Sequence, residues 1–341
     1  MSATAPSMLP FDDFRSLVVD MPGPDANAMR RVRERDAQLT KPAGSLGRLE
    51  EIAEWLAGWQ HRDPAVLRPL VAVFAGNHGV VERGVAAYPA SVTRQMVENF
   101  AAGGAAINQL CIAYDLGLKV FDLALEIPTG DIAVEAAMNE RDCAATMAFG
   151  MEAIAGGTDL LCVGEMGIGN TTSAAAIYAA VFGGAAEAWV GPGAGADDSQ
   201  IARKRAAVTA ALETHRAHLR DPFEILRRLG GRELAAIVGA ILAARFQNIP
   251  VLIDGFVATA AASILWKANP RALDHCMLAH VSAEPAHRLA VDRLGMKPIL
   301  DLDMRLGEGS GAAMAAGIVK AAALCHSGMA TFEQAGVATA D

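Results

Sequence analysis

The sequence predicts an α/β protein, a parallel sheet of about six strands with helices on its faces. Three observations carry that expectation. Six apolar runs, at residues 70–75, 120–125, 160–163, 250–253, 277–281 and 299–302, are too short for globular helices. They alternate with Ala-rich stretches of helical length, the pattern of strands buried on both faces of a parallel sheet. Most runs are closely followed by Gly, Asp, Glu, His or Ser. Ligands of open α/β sheets bind outside the carboxyl ends of the strands, so that edge is where function is expected.

Taken in order, residues 25–38 are charged and free of proline, and residues 46–60 carry Leu49, Ile52, Trp55, Leu56 and Trp59 at helical spacing. Between them KPAGSLGRLE (41–50) reads as a turn leading into a helix start. The texture changes after Pro69. The first strand leads into FAGNHGVVERGVAAYP (74–89), and the third into GEMGIGNTT (164–172) and an Ala-rich helix. VGPGAGADD (190–198) precedes a helix expected over 199–219, its two acids at the helix start. The remaining runs lead into IDGFVATAAA (253–262), HVSAEPAH (280–287) and DLDMRLGEGSGAA (301–313). Residues 311–324 form a last helix, expected to fold back onto the N-terminal ones.

The chain has 341 residues, room for one large domain or two ordinary ones at about 150 residues each. It is 52% hydrophobic and 20% charged with 33 glycines, the composition of a folded core of small side chains. A net charge of -9 speaks against nucleic acid as a partner, though local donors still suit a small anionic substrate. The five cysteines (111, 143, 162, 276, 325) show no C-x-x-C pair, which suits a reducing cytosol rather than a disulfide framework or zinc site. The N-terminal MSATAPSMLPFDDF lacks the basic and apolar regions of a secretory signal. No apolar run reaches the roughly 20 residues that span a bilayer. The expectation is a cytoplasmic protein with no membrane partner.

GEMGIGNTT has P-loop spacing, with Gly164 and Gly169 five apart and Thr171 two further on. Asn170 stands where the P-loop has its lysine. Such a loop suits one phosphate, held by backbone N–H and the hydroxyls of Thr171 and Thr172, and lacks equipment for a triphosphate with magnesium. Gly167 and Gly169 admit close backbone approach. No G-x-G-x-x-G follows the first strand, which weakens a dinucleotide reading. A nucleoside monophosphate fits best. Two acids stand out: Glu165, directly after a strand, and Glu308, between glycines in LGEGSG. The commoner fate of either is a solvent-facing or capping carboxylate, but flanking glycines leave Glu308 open to a flat ligand, as a base or a charge partner. A lone His78 reads as structural. His280, Glu284 and His287 have no recognised ligand spacing, so neither metal nor cofactor is expected.

KPAGSLGRLE, GEMGIGNTT, IDGFVATAAA and RLGEGSGAA together resemble the nicotinate-nucleotide–dimethylbenzimidazole phosphoribosyltransferases of cobalamin biosynthesis, from about residue 10 to about residue 330. The resemblance implies a Rossmann-like body at residues 69–305 and a smaller helical domain from residues 1–68 and 306–341. It also implies a homodimer with its active site in a cleft. The implied reaction moves the 5-phosphoribosyl group of nicotinate mononucleotide onto 5,6-dimethylbenzimidazole, giving α-ribazole 5′-phosphate and nicotinate. Glu308 matches the family's catalytic base. Glu165, Gly167, Gly169, Asn170, Thr171 and Thr172 of the 164–172 loop, with Lys204 in ARKRA and Ser282 in HVSAEP, match phosphate- and ribose-side positions. Tyr88 and Gln95 lie in the stretch lining the base pocket, and Leu306 and Gly307 adjoin the base. The family pattern has Asp, Thr and Gly where Asn77, Ala194 and Ala286 stand here.

The implied chemistry agrees with the residues. A pyridinium at C1′ is already a good leaving group, and one carboxylate at the acceptor's N–H suffices as base. Two other readings share much of the site. A nucleoside-monophosphate N-glycosidase would use its carboxylate on water, and a non-catalytic carrier of a nucleotide or base would need the anion loop but not Glu308.

Overall fold

The computed structural model describes residues 9–338. Residues 1–8 of the N-terminal stretch read for a signal, and the last three residues of the C-terminal part, lie outside the described residues. Three helices come first: α1 (Pro10–Leu17), α2 (Ala26–Asp36) and α3 (Arg48–Gln60). Pro10 starts α1, where a missing N–H costs nothing, and the Asp25 carboxylate caps α2 by accepting from the Asn27 N–H.

The sheet begins with β1 (Pro69–Ala75), followed by α4 (Ser91–Ala101), α5 (Ala106–Tyr114), β2 (Gly117–Asp122) and α6 (Glu140–Met151). Then come β3 (Leu160–Met166), α7 (Asn170–Phe182), α8 (Asp198–His215), α9 (Pro222–Leu229), α10 (Arg232–Phe246) and β4 (Val251–Ile253). The last part holds α11 (Phe256–Ala268), β5 (Cys276–Leu278), β6 (His280–Val281), α12 (Pro285–Leu294), β7 (Leu300–Asp301) and α13 (Ser310–Gly328). The main sheet has the order β2-β1-β3-β4-β5 with every pair parallel.

The main sheet therefore has five strands, not about six. All six apolar runs contain strand, but the fifth breaks at Ala279. That residue's N–H still donates to Ile253 O, while its carbonyl accepts from Leu300 N–H. The chain then bends, and His280–Val281 pairs with Leu300–Asp301 as a separate two-stranded parallel sheet. The second run is also displaced: β2 occupies 117–122 rather than 120–125. As an edge strand it is half exposed and carries Lys119, so its apolar density is a poor guide to its position.

Alternation along the central strands builds two cores. Ala72, Phe74, Leu161, Val163, Val251 and Ile253 face one side, with α6, α7, α10 and α11. Val71, Val73, Leu160, Cys162 and Leu252 face the other, with α3, α5 and α13. Both faces are covered, which is why the runs read as continuously apolar. On the first side α6 and α10 pack backbone to backbone. A Cβ on Gly150 would lie 2.0 Å from Ala236 O, and one on Gly239 1.9 Å from Met147 O.

On the second side α13 presents Ala312, Ala313, Ala315, Ala316 and Val319 to the sheet and packs with Ile52 and Leu56 of α3. The return of the last helix to the N-terminal region is thus seen for α3. By contrast α1 lies with the opposite core, Phe11 and Phe14 meeting Phe223 at centroid distances of 5.6 and 6.3 Å. All five cysteines are free thiols. Among the described residues no helix is long and apolar enough to cross a membrane.

Candidate active site

A cavity of about 400 Å³ opens at the carboxyl ends of the strands. Its walls come from Glu165 and Met166 at the end of β3 with Gly167, Ile168, Asn170 and Thr171 beyond it, Gly255 to Val257 after β4, Ser282 and Glu284 after β6, and Arg305 to Glu308 ahead of α13. Four of the stretches singled out in the sequence meet here. A fifth, VGPGAGADD, contributes Gly193 and Ala194, and the sixth, FAGNHGVVERGVAAYP, contributes Tyr88.

Glu308 is delivered by an unusual turn. Gly307, Glu308 and Gly309 have φ of 83°, 62° and 75°, three successive left-handed residues of which only Glu308 bears a side chain. The turn is pressed against β3: a Cβ on Gly164 would sit 2.3 Å from Gly309 N and 2.5 Å from its Cα. The Glu308 N–H donates to Glu165 O at 3.1 Å. The side chain lines the cavity, is only 4% exposed, and its Oε2 has no hydrogen-bond partner among the described residues. Burial, with the Asp254 carboxylate nearby, raises its carboxyl to about 7.

Asn170, in the P-loop lysine position, has a different task. Its Nδ2 donates to Glu165 Oε2. Glu165 is buried near Asp254, Glu233 and Glu308. Burial first, and those charges second, raise its carboxyl to about 8, so at neutral pH it is mostly a neutral acid. Beneath lies Glu233, bonded to His78 Nε2 at 2.5 Å, while His78 Nδ1 faces Ser173 Oγ at 3.1 Å. His78 thus has the partners its sequence context did not reveal. One wall of the cavity is consequently rich in buried carboxyl groups.

A smaller side cavity, sharing Tyr88, Asn170 and Thr171 with the main one, holds Lys204. Lys204 on α8 is buried while its neighbours Arg203 and Arg205 are exposed. Its Nζ donates to Thr171 Oγ1 and Gly191 O, both at 2.9 Å, which leaves one of three N–H donors unassigned. Burial lowers it to about 8, offset in part by Glu284, so it stays largely charged at neutral pH. Glu284 in turn accepts from Gly193 N–H at 3.0 Å, and Arg305 Nη1 donates to Gly193 O at 3.0 Å. Two charged side chains therefore hold the 190–198 loop at the cavity. The acids Asp197 and Asp198 start α8 as expected, Asp197 accepting from Gln200 N–H.

The expected cradle of backbone N–H groups is less open than the P-loop spacing suggested. Those of Ile168, Asn170 and Thr172 donate to Thr93 Oγ1, Gly167 O and Gly169 O. Lys204 and the Thr171 hydroxyl are the better anion contacts. Thr172 is fully buried and lies behind the cavity wall. Gly169 has φ 92° and starts α7, bordering a small side cavity shared with Lys204 and Tyr88. Ser282 lines the main cavity, its N–H donating to His287 Nδ1 at 2.7 Å. Tyr88 and Leu306 form a half-exposed rim. Gln95 is exposed, and its helix instead turns Val92 and Met96 toward the cavity. Helical periodicity from Val92 could have favoured those two. Arg305 and Asp254 were not selected from the sequence, where each is one acid or base among many, and Glu284 stood out there only as a metal ligand that its spacing did not support.

The departures from the family pattern have local accounts. Asn77 donates from Nδ2 to Leu125 O at 2.9 Å, a bond an ionised Asp could not give. Ala194 borders the cavity, and Ala286 is buried in the first turn of α12.

A parallel α/β sheet with buried carboxyls and a buried lysine gathered at its carboxyl edge has the make-up of an enzyme that acts on a small ligand. A phosphoribosyltransferase family model matches residues 21–337, and the chain belongs to that family. It is 72% identical to the nicotinate-nucleotide–dimethylbenzimidazole phosphoribosyltransferase of Rhizobium rhizogenes, over 96% of this chain and 97% of that one. The same identity holds with the enzyme of that name from Agrobacterium fabrum, over 98% and 97%. A crystal structure of the enzyme from Thermus thermophilus superposes with a TM-score of 0.84 at 42% identity, covering 93% of this chain and all of that one.

Proposed function

We propose that this protein transfers the 5-phosphoribosyl group of nicotinate mononucleotide to 5,6-dimethylbenzimidazole, releasing nicotinate and forming α-ribazole 5′-phosphate. The observation that carries the reading is a pair of features joined at Thr171: unpartnered Glu308 in the main cavity, and Lys204, bonded to Thr171, in the small side cavity that adjoins it. Lys204 receives the phosphate, with Thr171 and Ser282 toward the phosphate and ribose. The carboxyl-rich wall suits a substrate whose ring is a pyridinium and an acceptor that becomes cationic as it attacks.

Attack of the benzimidazole nitrogen at C1′, opposite the departing pyridine, inverts a β- to an α-glycosidic bond. The electron pair of the breaking C1′–N bond leaves with nicotinate and neutralises its ring. The acceptor's other N–H then becomes acidic, and Glu308 takes that proton. Val92, Met96 and Ile168 supply the apolar wall for the flat acceptor, with Tyr88 and Leu306 at its rim.

The test is direct. Purified protein with both substrates should yield α-ribazole 5′-phosphate, separated by chromatography. Nicotinate released without benzimidazole would favour an N-glycosidase, and tight binding without turnover a carrier. The reading extends to a homodimer in the cytoplasm. The smaller helical part is then α2, α3 and α13, without α1, which lies with the opposite core.

A further inference from the structure

Asp254 directly follows β4 and is 1% exposed, yet the transfer just described leaves it without a task. Its Oδ2 accepts from Gly309 N–H at 3.2 Å and its Oδ1 from Ala312 N–H at 2.9 Å. These are N–H groups at the start of α13, immediately after Glu308. A buried Asp at a helix start is ordinarily a cap and nothing more. Here three observations go further. The cap comes from the residue after β4, across 55 and 58 residues of sequence, because the helix's own N-cap position is Gly309, which has no side chain. It fastens a turn of three left-handed residues, one of them the reactive glutamate. And His280, a cavity-lining residue, holds Nε2 3.6 Å from Asp254 Oδ1, its ring filling space left by two glycines. A Cβ on Gly255 or Gly311 would meet that ring at 2.9 and 2.0 Å.

We propose that Asp254 is a positioning residue for the transfer, its carboxylate gripping the Gly309 and Ala312 N–H groups so that Glu308 faces the acceptor base, with His280 as the neighbour that keeps it in place. The inference rests on the reading of Glu308 as the base. A second effect accompanies the first. Burial raises the proton affinity of Asp254 itself, and His280 and the backbone N–H groups oppose that; as a carboxylate it is, of the groups facing Glu308, the one that together with burial raises that glutamate's proton affinity. The others are Glu165 on β3, His280 on β6, Arg305 on the same segment and Glu284 across the cavity.

The experiment is a double-mutant cycle with Asp254→Asn and Glu308→Gln, each variant first checked for the native fold by circular dichroism and melting. A misplacement of about 1 Å is enough to cost about 100-fold, so Asp254→Asn should lower kcat by roughly 10- to 100-fold. KM for both substrates should stay within about 3-fold, since the binding groups are untouched. The acid limb of its kcat–pH profile should move to lower pH, because Glu308 loses a negative neighbour. In the Glu308→Gln background Asp254→Asn should cost no further kcat, since a residue acting through Glu308 has nothing left to position. If Asp254→Asn does not fold, Asp254→Ser, which keeps a neutral acceptor, makes the same comparisons. A kcat within about 3-fold of wild type, or an equal loss in both backgrounds with the acid limb unmoved, overturns the proposal. Wild-type turnover by Glu308→Gln would remove the base reading itself; lost turnover there with a fully active Asp254→Asn removes only this one.

Discussion

Glu308 occupies a backbone region that costs a residue with a Cβ about 1–2 kcal/mol, at φ 62°. Its carboxyl is buried with one oxygen unpartnered among the described residues. Strain and desolvation on the same residue mark it more sharply than either alone. Glu308→Gln is nearly isosteric and should keep substrate affinity while losing turnover, by the roughly 10²–10⁴-fold of a general base. The sign of the pH dependence follows. A base with its carboxyl raised to about 7 is competent above that pH, so wild-type kcat should fall as pH drops through it. The glutamine variant should lack that limb, and a variant within a few-fold of wild type would exclude Glu308 as the base. Glu165→Gln should be the milder change, because Glu165 is already mostly neutral at pH 7. Lys204 gives the complementary test. Lys204→Ala removes a charge-assisted contact, which is expected to raise KM for nicotinate mononucleotide by roughly 10- to 100-fold. KM for the benzimidazole should barely change, and steady-state kinetics with each substrate varied will show whether the two separate.

At the scale of elements, the site depends on how closely β3 and the turn before α13 approach. Gly164 is the contact, and its would-be Cβ meets backbone, which cannot rotate away as a side chain could. Gly164→Ala should therefore push the Glu308 turn out of place. The expected outcome is a stability loss of about 1–3 kcal/mol from overpacking together with a fall in kcat/KM of about 100-fold. Melting curves and kinetics measure the two separately, and unchanged activity would mean the turn can shift without consequence. The elements also explain what the sequence disclosed. Strands buried on both faces announced themselves as apolar runs, and the glycines at their ends marked the sheet edge. The break at Ala279 did not, because a strand that changes sheets keeps its apolar composition on both sides of the bend. Nor did the role of Asn170: the P-loop spacing was visible, but only packing brings its amide onto Glu165. Asp254 lies in plain view within IDGFVATAAA, but nothing local says that its partners are more than 50 residues away.

At the scale of the whole molecule, the fold separates charge: carboxyls gather where β3, β4 and α13 meet, and Lys204 on α8 stands at the adjoining side cavity. That separation bears on metals. Phosphoribosyltransferases that release pyrophosphate need magnesium because negative charge accumulates on two leaving phosphates. Nicotinate instead loses a positive ring charge as it departs. A dication beside it would oppose binding of the pyridinium without helping the bond to break. The acidic wall has the carboxyls of a cation site, but apart from Glu308, whose Oε2 is unpartnered among the described residues, they already hold protein partners. Asp254 accepts two backbone N–H groups, Glu165 is fastened by Asn170, and Glu233 is bonded to His78. Both ring nitrogens of His287 likewise face the Ser282 N–H and the Thr259 hydroxyl. Turnover should therefore survive exhaustive EDTA treatment, and magnesium added back should change the rate by less than about 2-fold, far below what metal catalysis of a developing charge supplies. Activity lost on chelation and restored by one particular divalent ion would overturn the metal-independent mechanism, and would direct attention to His280, whose Nδ1 is without a partner among the described residues.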